Sequence, residues 1–266
     1  MLRTRVLTAV VLAGIVAFSV FGLETGYASL VFAVFWLIGT DEWARLAGLK
    51  PIARTLYAGV FVSFVIAVLG LDLPVELLEG VFWLAALVWL VTFRFVLQFP
   101  RPLPRTAIAA MGLIVISAAW LAFSEIHALP NNGPGLIVAG LAIIWSADIG
   151  AYFAGRSLGR TPLAPKVSPK KTWEGVVGGV LLASITGVLA AVMLDQSPLL
   201  FGSIAVAMAL ISVVGDLGVS MLKRHAGLKD SGVLLPGHGG IMDRFDGVTA
   251  ALPFFVLGLN FAHVLD

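Results

Sequence analysis

Residues 176–194 read VVGGVLLASITGVLAAVML, nineteen positions without one charged side chain. A helix rises about 1.5 Å per residue, so roughly 20 apolar residues cross the ~30 Å hydrocarbon layer of a bilayer. The same texture recurs outward in both directions. Candidate spans lie near 6–23, 27–40, 56–71, 80–97, 107–124, 135–155, 176–194, 199–219 and 247–264. The second and third are short, which leaves room for a tilted or re-entrant element. Period-2 alternation of the kind a membrane barrel needs is absent. The expected fold is therefore an all-α, polytopic integral membrane protein of about nine transmembrane helices.

Composition agrees. Of 266 residues, 59% are hydrophobic and 12% charged, with a mean hydropathy of +1.02. Soluble domains carry about 25% charged residues, and a soluble particle has no room to hide this much apolar surface, so a cytosolic enzyme and a disordered chain are excluded. The net charge of +2 gives no footprint for nucleic acid. Zero cysteines exclude disulfides, thiolate catalysis and Cys-ligated zinc.

Basic residues orient the spans. With the N-terminus (Arg3, Arg5) cytoplasmic and nine crossings, all 17 Lys and Arg fall inside or at that interface. The opposite loops then carry Glu24, Asp72, Glu76, Glu79, Glu125, Asp195 and Asp266. An N-in, C-out topology follows. The first span begins like a signal peptide, and Gly26-Tyr27-Ala28 resembles a weak cleavage site; with eight spans behind it, an uncleaved helix is expected. No internal repeat is visible. The chain divides into N-terminal helices, 1–134 (about five spans), and a C-terminal region, 135–266. The latter holds two long, polar cytoplasmic loops, 156–173 and 220–246, where any chemistry belongs. The seven tryptophans are expected as interface anchors.

Ionisable residues at membrane depth are functional candidates. Asp148, late in the sixth span, shares a helix face with Tyr152, Gly155 and Arg156. Asp216, late in the eighth, shares one with Ser220, Lys223 and Arg224. The plain alternative for both acids is helix packing. Asp243 and Asp246 flank Arg244 at the start of the ninth span; hard oxygen donors suit Mg²⁺, and helix N-terminal capping explains the same positions. Ahead of them run Lys229-Asp230-Ser231-Gly232 and Pro236-Gly237-His238-Gly239-Gly240. These glycines either cradle phosphate with turned N–H groups or make a tight turn. His238 binds phosphate, moves a proton or is structural. No second histidine stands at zinc spacing. In the other loop, Ser168, Lys170, Lys171 and Thr172 suit an anionic headgroup or a triphosphate; anchoring explains the lysines and N-capping explains Thr172. Gly175 and Gly179 form a G-x-x-x-G helix-packing motif.

From Ser220 to Asp246 the chain reads SMLKRHAGLKDSGVLLPGHGGIMDRFD. This resembles the signature of the phosphatidate cytidylyltransferases (CDP-diacylglycerol synthases). That pattern is Ser, two residues on a Lys-Arg pair, four variable residues and Lys-Asp, continuing through Pro-x-His-Gly-Gly to Asp-Arg-x-Asp. Ser168-Pro169-Lys170-Lys171-Thr172-Trp173-Glu174-Gly175 and Ala147-Asp148-x-x-Ala151-Tyr152 are similar to that family as well. The likeness covers about 145–250. It implies the reaction of CTP with phosphatidate to give CDP-diacylglycerol and pyrophosphate, with Mg²⁺ required. CTP arrives from the cytosol, so the site is expected to face the cytoplasm, where the charge distribution already puts the acids, and the compact chain is expected in a bacterial cytoplasmic membrane. A homodimer agrees with the family.

Under that resemblance Asp216, Asp243 and Asp246 hold the metal. Lys223, Arg224, Lys229 and Arg244 neutralise phosphates. Asp148, Ser168, Lys170, Lys171, Thr172, Ser220, Asp230, His238, Gly239 and Gly240 contribute to the substrate pocket. Two other readings stand beside it: a CTP-dependent kinase of a polyprenol- or phytol-type alcohol, and an ion-coupled transporter using Asp148 and Asp216.

Overall fold

The computed structural model describes residues 2–232, 234, 239–262 and 264, with backbone alone over 2–9. Among these residues nine helices follow one another: α1 (Leu2–Phe21), α2 (Thr25–Leu46), α3 (Pro51–Gly70), α4 (Val75–Leu97), α5 (Arg105–Ala128), α6 (Gly133–Leu158), α7 (Trp173–Met193), α8 (Pro198–His225) and α9 (Met242–Phe261). Each expected span finds its helix. Six of them, α3 to α8, are long and apolar enough to cross a membrane. α2 is not short as expected: it runs on to Leu46 and carries Asp41, Glu42 and Arg45 within its last turns.

The all-α expectation holds, with one short hairpin added. Loop 156–173 folds into a hairpin of β1 (Pro162–Ala164) and β2 (Ser168–Thr172), antiparallel, with Ala164 opposite Ser168 and Pro162 opposite Thr172. The turn at Pro165-Lys166 is closed by Val167 N–H donating to Ala164 O at 3.1 Å. The open end is tied by Trp173 N–H to Thr161 O at 3.0 Å and by the Thr161 hydroxyl to Glu174 at 2.9 Å. Val167 and Ala164 are buried, which presses the hairpin onto the bundle.

The C-terminal helices approach through small residues. A Cβ on Gly178 would lie 2.2 Å from Ala154 Cβ, one on Gly150 2.5 Å from Gly178 O, and one on Gly179 2.7 Å from Ala147 O. Glycine and alanine alone permit this α6/α7 distance, so the G-x-x-x-G expectation holds and extends onto α6. The same device joins α8 to α9, where a Cβ on Gly215 would meet Asp246 O at 2.5 Å.

The N-terminal half packs differently. α5 is its central pillar, with Val115, Ile116, Ala118, Ala119, Trp120 and Ala122 all removed from the surface. Four tryptophans are posts of the core rather than interface anchors: Trp36, Trp43, Trp89 and Trp120 are at most 1% exposed. Three of them donate Nε1–H to a carbonyl of a neighbouring helix: Trp43 to Ile108 (2.7 Å), Trp120 to Ser29 (2.9 Å) and Trp89 to Thr249 (3.3 Å). Burying an indole inside a bundle is favourable when its N–H finds such an acceptor. Trp83, Trp145 and Trp173 are exposed on the bundle's flank, where the anchoring role fits.

Candidate active site

The two polar loops and the ends of α6, α7, α8 and α9 enclose a cavity of about 600 Å³. Its wall carries four acids, Asp148, Asp216, Asp243 and Asp246, and four bases, Lys170, Lys171, Lys223 and Arg244. Deeper lining is apolar, including Val176, Val180, Ala209 and Val213.

Each acid is placed by a packing device already described. The α6/α7 seam holds Asp148 near Lys171, which lies on β2 (Ser168–Thr172). Gly215 lets α8 touch α9 beside Asp246, so Asp216 arrives next to it. Lys171 forms an ion pair with Asp216, and Ser220 donates its hydroxyl to Asp216 Oδ1 at 3.3 Å. Asp246 Oδ1 accepts from Gly247 N–H at 2.8 Å.

Asp243 lies ahead of the apolar stretch 247–264 and is otherwise engaged. Its Oδ1 accepts from Lys223 Nζ at 2.7 Å, and its Oδ2 accepts from the backbone N–H groups of Ser231 (2.8 Å) and Gly240 (2.9 Å). The Lys223 and Asp243 side chains are 15% and 6% exposed, so the pair is held largely out of water. Burial alone would raise the Asp243 carboxyl. The hydrogen bond from Lys223, the N–H groups of Gly240 and Ser231, and the Lys223 charge reverse this and hold it below the usual carboxylate range.

The remaining sequence candidates divide. Thr172 lines the cavity, but its Oγ1 also accepts from Gly175 N–H at 3.1 Å as the N-cap of α7. Gly239 has φ +85°, a left-handed conformation suited to glycine, and a Cβ there would lie 2.6 Å from Asp243 Oδ2. Gly240 spends its N–H on Asp243. Ser168 begins β2 away from the cavity wall, and Arg224, Lys229 and Asp230 are exposed beside it. His238 lies outside the described residues. Among those described, no group of three or more His, Asp or Glu side chains is placed to hold a metal ion, so the expected triad of Asp216, Asp243 and Asp246 is not assembled here, Asp243 being turned to Lys223, Ser231 and Gly240.

A family model described as the cytidylyltransferase family matches residues 3–262. The chain belongs to that family. It is 39% identical over 263 residues to the phosphatidate cytidylyltransferase of Pseudomonas aeruginosa, covering 96% of each chain. The phosphatidate cytidylyltransferase of Haemophilus influenzae is 36% identical over 285 residues, with 96% of this chain and 97% of the relative covered. That of Brucella melitensis is 35% identical over 275 residues, with 98% and 95% covered. The family likeness therefore includes the N-terminal helices, beyond the stretch 145–250 that the motifs single out.

One residue of this cytidylyltransferase-family chain has no place among the sequence candidates. Glu42, on α2, is fully buried and accepts three hydrogen bonds from the signature loop and the start of α9. The available signal is that Trp43, Ala44 and Leu46 carry the apolar sequence on past Glu42, continuing the helix past the point where the expected span stops, and all three are buried with Glu42.

Proposed function

We propose that this chain transfers the cytidylyl group of CTP to phosphatidate, giving CDP-diacylglycerol and pyrophosphate. The observation that carries the reading is the cavity itself. Asp148, Asp216 and Asp246 face Lys171, Lys223 and Arg244 at the edge of an apolar bundle, where a lipid phosphate and a water-borne triphosphate can meet. The names of the relatives point to the same reaction. A phosphomonoester has a second pKa of about 6, so the phosphatidate oxygen is already a charged nucleophile near neutral pH. It attacks the α-phosphorus of CTP, the bond from that phosphorus to the bridging oxygen breaks, and pyrophosphate leaves with the electron pair. No general base is needed. The barrier is anion against anion, which the chain lowers by charge compensation and in-line positioning.

In this reading Lys171, Lys223 and Arg244 screen phosphate oxygens. Asp243 fixes Lys223, since both of its oxygens are occupied by hydrogen bonds. Asp216 and Asp246 would hold Mg²⁺, which usually takes one or two carboxylates together with substrate phosphates; Lys171, paired with Asp216 here, would pass to a phosphate oxygen. When bound, the ion would neutralise charge on the phosphates. The topology proposed is N-terminus in, with the cavity opening to the cytoplasm, supported by the one-sided distribution of Lys and Arg. Because the chain has no cysteine, single cysteines report sidedness cleanly. Arg160→Cys should react with an impermeant maleimide only in inside-out vesicles, and Gln196→Cys only in right-side-out cells.

The deciding assay uses cytosine-labelled CTP, phosphatidate and Mg²⁺ in detergent micelles. Label is expected in the lipid phase, matched by pyrophosphate and lost with EDTA. Release of CDP in place of pyrophosphate would overturn the transferase reading in favour of a kinase. Undiminished turnover in EDTA would overturn the magnesium assignment.

A further inference from the structure

We infer that Glu42 is a positioning residue for the active site, reaching from the N-terminal half to set the signature loop and the first turn of α9. Its carboxylate is completely buried. Oε1 accepts from Ile241 N–H at 2.9 Å; Oε2 accepts from Met242 N–H at 2.9 Å and from the Ser231 hydroxyl at 2.7 Å. The N–H groups at the start of a helix have no partner within that helix, and here an acid from a different helix fills them, where the macrodipole also favours negative charge.

Gly232 and Gly240, at the two described ends of the signature loop, close directly on this carboxylate. A Cβ on Gly232 would lie 2.3 Å from Glu42 Oε1, and one on Gly240 2.3 Å from Oε2. Both glycines are thus required by an acid of the protein itself. Ser231 completes the clasp: its hydroxyl goes to Glu42 and its N–H to Asp243, which in turn holds Lys223. Asp246 stands one helical turn beyond Asp243. Glu42 touches none of the cavity, yet the axial position of α9, and with it the placement of Lys223, Asp243 and Asp246, is fixed at this end by its two oxygens.

The test uses the full-length protein in detergent with CTP and phosphatidate, and so rests on the cytidylyl-transfer reading for its assay; wild-type turnover checks that reading separately. Glu42→Gln keeps the shape but turns one acceptor into a donor facing an N–H. For the protein that elutes as folded, kcat is expected to fall about 100-fold, as for a misplacement on the order of 1 Å. KM for both substrates should stay within about threefold, since no ground-state contact is lost. Glu42→Asp restores the carboxylate one methylene short and should recover part of the loss. Amide exchange should accelerate in peptides covering 239–246 while α7 keeps its protection. This last readout does not depend on activity. Ser231→Ala, which removes one of three donors, should lower kcat in the same direction by about tenfold, and it decides the matter if Glu42→Gln does not fold. Folded Glu42→Gln with wild-type kcat, a change in KM without one in kcat, or loss of protection throughout the bundle would each overturn the assignment.

Discussion

The two halves of the bundle are fastened by different chemistry. In α6 to α9 the backbones touch, because Gly150, Gly178, Gly179 and Gly215 leave nothing between them. Between α2 and α5 the contact is made by indoles, which donate to carbonyls of the facing helix, with Trp43 seated against Gly112. Lipid gives no hydrophobic drive for helix association, so packing and interhelical hydrogen bonds must supply it. The close seams fix charged groups to within ångströms, which a site for phosphates requires. The tryptophan posts build a rigid wall that tolerates more variation. Substitutions in the first half should therefore be read mainly in stability, and those in the second mainly in turnover.

The sharpest contrast is expected at Asp246. Asp246→Asn is nearly isosteric and leaves the Gly215 contact intact, so insertion and elution in detergent should match wild type. Turnover should fall by roughly 10²–10³-fold or more, the scale on which a single preorganised electrostatic group acts. Pyrophosphate release across a magnesium titration measures it. Wild-type rates at every magnesium concentration would remove Asp246 from the site and leave the charged cavity without its proposed metal.

Glu42 cuts across the division, and it also shows how far the sequence can be read. The helices were legible because a charge-free run of nineteen residues has one physical meaning in a chain this apolar. The acids that line the cavity stood out in the sequence because Asp216 and the Asp243/Asp246 pair interrupt or border such runs. The G-x-x-x-G at Gly175 and Gly179 carried its own meaning. Glu42 was not legible, since its partners lie 189 to 200 positions away along the chain and its neighbours Asp41 and Arg45 make it look like the start of a polar loop. The core tryptophans misled for a related reason: an indole suits a membrane interface and a bundle interior equally well, and only the position of a distant carbonyl decides. The hairpin escaped because strands of three and five residues in a Pro- and Lys-rich loop show no alternation.

Gly178→Ala sharpens the comparison from the close-packed side. The added methyl would sit 2.2 Å from Ala154 Cβ, and both backbones are too near to absorb it. Overpacking of this kind costs about 1–3 kcal/mol, visible as a lower melting temperature. Turnover should drop as well, because α6 carries Asp148. Gly59→Ala, which meets nothing within 4 Å, should leave both unchanged or gain about 0.5–1 kcal/mol from helix propensity. From the other half, Trp120→Phe removes the Nε1–H donated to Ser29 O, a carbonyl inside α2 that keeps its helical partner, so the lost hydrogen bond costs about 0.5–1.5 kcal/mol. Its kcat per folded molecule should stay at wild type. A melting temperature unchanged in Gly178→Ala, or a large kcat loss in Trp120→Phe, would break the distinction between the halves.

The smallest effect belongs to Thr172, where the two roles offered for one hydroxyl can be separated. As the N-cap of α7 its Oγ1 accepts from Gly175 N–H, and capping threonines are worth about 0.5–2 kcal/mol. Thr172→Ser keeps that acceptor and should melt like wild type, whereas Thr172→Ala should melt earlier by the cap energy. If capping is the whole role, KM for CTP is equal in the two variants, because neither change moves Lys171 or the cavity wall. If the hydroxyl also binds substrate, KM rises in the alanine variant and returns in the serine variant. The cap already occupies the oxygen as an acceptor at 3.1 Å, but its proton is still available to a phosphate oxygen. A rise in KM of about tenfold, the lower end of the weight of one hydrogen bond to a charged group, is therefore the effect expected of Thr172→Ala if the hydroxyl reaches a phosphate.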